Sequence, residues 1–136
     1  MYNPFYFSLF HISSISSFCI FILYNKFLEL MIINLFQGVM RSSSIKALCL
    51  SGNNMTGSCV VTLGDLLRVN TSITKLFLEW NCVGHDQEAF SQLCSGLAAN
   101  TSLEFLDLRN HQQSLHTILL CLTSLTNIYR AVGGCI

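Results

Sequence analysis

Between residues 41 and 111 the chain repeats one pattern of apolar and polar positions three times. SIKALCLSGNNM, SITKLFLEWNCV and SLEFLDLRNHQQ each follow the spacing L-x-x-L-x-L-x-x-N, with equivalent positions 28 and 30 residues apart. The apolar places hold Ile45, Leu48 and Leu50, then Ile73, Leu76 and Leu78, then Leu103, Leu106 and Leu108, with no polar exception. Alternation of this kind predicts a short strand with one side in a core and the other on display. A bend follows each strand. Asn53 and Asn81 stand where a short amide can satisfy backbone groups left unpaired by the turn. The third copy has His111 at that place, after Asn110, and a weaker bend is expected there.

Between the predicted strands the apolar spacing becomes helical. Val60, Leu63, Leu66 and Leu67 form one stripe, and Ala89, Phe90, Leu93 and Leu97 form the next. Asp86 is placed to cap the second helix, with Glu88 in its first turn. Asn70 and Asn100 are expected to end the two helices as left-handed residues, which accounts for the recurrent Asn-Thr-Ser without glycosylation. Asn54 begins a third acceptor triplet. A strand, a right-handed helical crossover and a parallel strand beside the first, repeated, predict a curved α/β solenoid with strands on the concave face and helices on the convex face.

The flanks differ from this block. Residues 1–40 hold seven of the ten phenylalanines and only two charged residues, Lys26 and Glu29. Phe5 to Tyr24 is an uncharged run near the length of a membrane-spanning helix, but five serines and His11 interrupt it. Three readings stand: a membrane anchor through residues 5–24, an apolar cap helix on the first repeat, or an extension foreign to the natural protein. As an anchor, Lys26 and Arg41 would hold the repeats on the cytoplasmic side. Met40 lies directly before the repeats, and initiation there would give a chain without the apolar leader. Residues 112–136 carry the stripe Leu115, Ile118, Leu119 and Leu122, then SLTNIYR, in which Arg130 falls where a leucine belongs. A degenerate final turn is expected.

Seven basic residues balance seven acidic ones. With no basic run to neutralise successive phosphates, nucleic acid is not the expected partner. The seven cysteines are odd in number and scattered, which predicts reduced, semi-buried thiols and a reducing compartment. Cys82, His85 and Cys94 give three potential metal ligands without a fourth, so no metal site is expected. No nucleophile and base come with an orienting third group, and glycine-rich phosphate loops are lacking. An enzyme, a cofactor and a small-molecule substrate are therefore not expected.

The repeats resemble ribonuclease-inhibitor-type leucine-rich repeats. The phrase SITKLFLEWNCVGHDQEAFSQLCSGLAANTSLEFLDLRN is more particular, and resembles the centrosomal leucine-rich repeat-containing protein 45 family in its LEWN strand, FxxxCxGLAAN helix and LDLRN strand. The resemblance covers about half of the chain and implies a short leucine-rich-repeat solenoid, a horseshoe fragment, in a cytoplasmic protein at the centrosome. That family carries a long coiled coil after its repeats and is implicated in the linker between centrioles. This chain contains no such coiled coil, and its apolar leader has no counterpart in the family pattern.

The scaffold leaves certain strand residues free for display. Ala47, Cys49, Ser51 and Gly52 belong to the first repeat, Lys75, Phe77, Glu79 and Trp80 to the second, and Phe105, Asp107, Arg109 and Asn110 to the third. Large aromatics flanked by charge match the composition of protein-binding hot spots. The expected contact set for a protein partner is Lys75, Phe77, Glu79, Trp80, Phe105, Asp107 and Arg109. Glu79 and Arg109 occupy equivalent places and are expected to pair laterally. Trp80 has an alternative role, packing on Phe105.

Overall fold

A computed structural model describes the backbone of residues 18–21 and the whole of residues 29–109. The elements run β1 (Phe18–Phe21), α1 (Glu29–Met40), β2 (Ile45–Cys49), α2 (Gly57–Val69), β3 (Lys75–Phe77), α3 (Gln87–Ala99) and β4 (Phe105–Asp107). The strands form one parallel sheet in the order β1-β2-β3-β4, and the helices lie side by side as α1, α2, α3. The register keeps the repeat: Ile20 pairs with Leu48, Leu48 with Leu76, and Leu76 with Leu106.

The predicted core assembles as one cluster shared by the helices and one side of the strands. Leu48, Leu50, Ile73, Leu76, Leu78, Leu103, Leu106 and Leu108 are buried, and Ile45 packs against them half-buried at the start of β2. Both helical stripes, Val60 to Leu67 and Ala89 to Leu97, point into the same cluster. Sheet and helices thus bury their apolar sides against each other, the general solution for amphipathic elements in a two-layer unit.

The strands are short, but their hydrogen bonding continues into the bends. Leu50 N–H donates to Phe77 O and Gly52 N–H to Glu79 O, each at 2.9 Å. One repeat later Leu78 N–H donates to Asp107 O at 2.9 Å and Trp80 N–H to Arg109 O at 3.2 Å. Inside the bend Asn81 is buried. Its Nδ2 donates to Leu50 O at 2.8 Å and Leu78 O at 2.9 Å, while its Oδ1 accepts from Asn53 N–H at 3.1 Å and Met55 N–H at 3.0 Å. Asn53 Nδ2 donates to Leu50 O at 2.8 Å. The expected role of both amides is therefore what the structure has, and Asn81 additionally joins one repeat to the next.

At the other end of each helix the expectation is corrected. Asn70 (φ −81°) and Asn100 (φ −76°) are extended, not left-handed. Their side chains end the helices instead. Asn70 Oδ1 accepts from Ser72 N–H and Ile73 N–H, both at 2.9 Å, and Asn100 Oδ1 accepts from Ser102 N–H at 3.0 Å and Leu103 N–H at 2.7 Å. Their amide groups donate backwards, Asn70 to Val39 O at 3.1 Å and Asn100 to Leu67 O at 2.7 Å, so each reaches the carbonyl end of the preceding helix. Ser102 Oγ donates to Ile73 O at 3.0 Å. The Asn-Thr-Ser triplets are thus a structural clamp, with both asparagines buried.

The helix starts differ. Asp86 caps α3 as expected, accepting from Glu88 N–H at 3.0 Å and Ala89 N–H at 3.1 Å. At α2 the N-cap residue Thr56 makes no side-chain cap bond, and Glu29 of α1 acts in its stead. Its carboxylate accepts from Ser58 Oγ and from Cys59 N–H.

Two elements, β1 and α1, lie in the segment for which the sequence left three readings open. Ile32, Phe36 and Val39 of α1 are buried in the common core. The helical span proposed for residues 5–24 is not what its described part forms: Phe18–Phe21 is a strand hydrogen-bonded to β2. Among the described residues no helix is long and apolar enough to cross a membrane. Most of residues 5–24, the bend expected at Asn110 and His111, and the degenerate turn at 112–136 fall outside the described residues.

Candidate protein-interaction face

The parallel register sorts the outward side chains into rows across the sheet. Ala47, Lys75 and Phe105 form one row, and Cys49, Phe77 and Asp107 the next. Ser51, Glu79 and Arg109 continue the alternation just beyond the strands. The first repeat contributes small, buried residues, Ala47, Cys49 and Ser51, whereas the second and third contribute large or charged ones.

Phe77 and Phe105 sit diagonally and touch, with ring centroids 5.0 Å apart and planes tilted by 41°. This is a favourable aromatic geometry, and it leaves both rings half-buried. Trp80 does not take the alternative role, for among the described residues the ring on Phe105 is that of Phe77. The indole is 56% exposed. Lys75 is exposed as well.

Arg109 lies between two carboxylates. Its Nη2 is 3.3 Å from Glu79 Oε2, the expected lateral pair, but its main partner is Asp107. Nε donates to Asp107 Oδ1 at 2.9 Å and Nη2 to Asp107 Oδ2 at 2.6 Å, while Arg109 N–H adds a bond to Oδ1 at 3.1 Å. Hydrogen bonding and charge from Asp107 push the guanidinium pKa further up, with Glu79 adding to the effect. Asp107 was expected on display. It is buried instead, because it is the anchor that orients Arg109. Among the contact residues expected from sequence, the structure brings together Phe77 with Phe105, and Glu79 with Asp107 and Arg109.

The cysteines divide. Cys49, Cys59 and Cys82 are free, in line with the reduced reading, but Cys94 is disulfide-bonded, so that reading fails there. Burial, helped by the charge of Glu29, pushes the Cys59 thiol up to about 11, which keeps it protonated and unreactive at neutral pH. Cys82 donates to Asn54 Oδ1 at 3.1 Å. Among the described residues no group of three or more His, Cys, Asp or Glu side chains is placed to hold a metal ion.

A parallel sheet joined by helical crossovers, with buried asparagines repeating at 28 residues and a leucine core, defines a leucine-rich-repeat protein. More particularly, the chain is similar to leucine-rich repeat-containing protein 45 of Gallus gallus, with 48% identity over 82 residues. The match takes in 60% of this chain but only 12% of that protein's length. Among solved structures, leiomodin-1 actin-binding site 2 superposes with a TM-score of 0.73 over 83% of this chain and 68% of its own, at 14% identity. The tropomodulin C-terminal domain of Caenorhabditis elegans gives 0.51 over 83% of this chain and 84% of its own, also at 14% identity. At that identity the likeness concerns the fold. No family model matches the chain.

Proposed function

We propose that this chain is a non-catalytic protein-interaction scaffold, a short horseshoe segment whose concave side is the sheet surface. The carrying observation is the exposed Trp80 beside the Phe77–Phe105 pair, flanked by Lys75, Glu79 and Arg109. Aromatic and arginine side chains on a fixed sheet bring contact area at little entropy cost, which suits a binding surface. Asp107 serves this surface from below by fixing Arg109.

The similarity to leucine-rich repeat-containing protein 45 supports a cytoplasmic, centrosome-associated role for the chain, as a fragment of a protein that helps hold centrioles together. Actin is named for the leiomodin-1 structure, and supports protein binding as the general use of such a fold. It is not proposed as this chain's partner.

The test is proximity labelling in cells with the tagged chain and its Phe77→Ala/Trp80→Ala variant, alongside circular dichroism of both. The expected result is loss of a discrete set of neighbours, centriolar proteins among them, with an unchanged spectrum. The same neighbours around the variant would remove the sheet face from the proposal. Neighbours lost but none of them centriolar would remove the centrosomal assignment alone.

A further inference from the structure

Gly52 and Trp80 occupy the same place in successive repeats, the last residue before the bend asparagine. Both have positive φ, 74° at Gly52 and 58° at Trp80. The cause is common to both: each N–H is committed to a carbonyl of the next repeat, Glu79 O for Gly52 and Arg109 O for Trp80. Glycine adopts this conformation freely, whereas a Cβ crowds the following carbonyl. Trp80 thus holds a strained backbone at a site where its neighbour shows that glycine suffices. Packing does not compensate, since the indole is 56% exposed and has no ring contact among the described residues. Strain kept without a structural return is a mark of function.

The charges beside it indicate what the indole meets. Glu79 and Asp107 share the single guanidinium of Arg109, which leaves this end of the sheet with one net negative charge. Glu79 presents only Oε2 to that guanidinium. Lys75 stands four residues back along the chain, roughly 13 Å away at strand rise. An indole face is itself electronegative and attracts cations. We infer that Trp80 and Glu79 form a receptor site for an arginine or lysine side chain of a protein partner. The inference rests on the interaction-face reading and narrows it to a partner whose contact segment is basic.

Trp80 is the chain's single tryptophan, so its fluorescence reports on this site alone. The full chain is titrated with a twelve-residue Gly/Ser peptide carrying three arginines, and with its counterpart carrying three glutamates. The arginine peptide is expected to quench Trp80 saturably and the glutamate peptide to leave it unchanged, with Glu79→Gln weakening the former about two- to fivefold. Trp80→Gly, followed by anisotropy of dye-labelled peptide, is expected to lose binding while its melting temperature rises by about 2–4 °C. Equal response to both peptides, response to neither, or wild-type binding by Trp80→Gly would overturn the cation site. Each of these leaves the sheet face standing if the Phe77→Ala/Trp80→Ala variant still loses its neighbours. Retention of those neighbours removes the face itself.

Discussion

Asn81 uses its amide to join backbone groups of two repeats, and no other side chain of its size could donate twice and accept twice at that point. Asn81→Ala would strand Leu50 O, Leu78 O, Asn53 N–H and Met55 N–H in a buried bend. A loss of about 3 kcal/mol or more is expected, since each unsatisfied buried group costs about 1–3 kcal/mol. Urea unfolding measures it, with Asn34→Ala on the exposed side of α1 as a neutral control. Asn81→Asp should be as damaging, because a carboxylate cannot donate to the two carbonyls. The bend role of this residue was legible from its place in the repeat. The conformation of Asn70 and Asn100 was not, because asparagine suits both a left-handed helix end and a side-chain clamp. Ser72 and Ser102 resolve the choice, since their N–H groups are the donors that the clamp takes up.

At the scale of elements, α2 and α3 meet backbone to backbone through two glycines. A Cβ on Gly96 would lie 2.1 Å from Gly64 O and 2.7 Å from Gly64 Cα, and one on Gly64 would lie 2.7 Å from Gln92 O. Backbone cannot swing aside as a flexible side chain can, so Gly96→Ala must push the helices apart. Overpacking of this kind costs about 1–3 kcal/mol, against which the better helix propensity of alanine recovers under about 1 kcal/mol. A net loss is expected, read as a lower urea midpoint. Gly38 in α1 has nothing within 4 Å of its would-be Cβ, so Gly38→Ala should gain about 0.5–1 kcal/mol in the same assay. The opposite signs separate close approach from propensity. The helices themselves were legible in their apolar stripes, but the contact between them was not, because periodicity identifies a buried face without giving the distance across it. β1 and α1 were obscured for a different reason. Ile20, Ile22 and Asn25 stand 28 residues before Leu48, Leu50 and Asn53, so the repeat extends upstream, but Ser17 breaks its first place and uniform hydropathy masks the alternation.

For the molecule as a whole, that upstream repeat changes what the minimal stable unit is. Each repeat buries its sides only against neighbours, so removing one at an end uncovers apolar surface on the next. A chain beginning at Met40 would lose β1 and α1, and with them Ile32, Phe36 and Val39 from the core, the Glu29 cap on α2 and the Val39 carbonyl that receives Asn70. Three buried apolar side chains are together worth about 5–9 kcal/mol by transfer, comparable to the entire stability of a small domain. The truncated chain, residues 40–136, is therefore expected to be aggregated or unfolded under conditions where the full chain melts cooperatively. Circular dichroism melting with light scattering compares the two directly. Equal melting temperatures would mean that the repeats from β2 onward stand alone, and that the helix packed on α2 is dispensable to the core it enters. The predicted dependence follows from Phe36, which is fully buried and sits in the same cluster as Leu63 and Leu67 of α2. A Phe36→Ala change in the full chain should reproduce much of the truncation's effect, a loss of about 3–5 kcal/mol, because it empties that contact while leaving the backbone ladder between β1 and β2 in place.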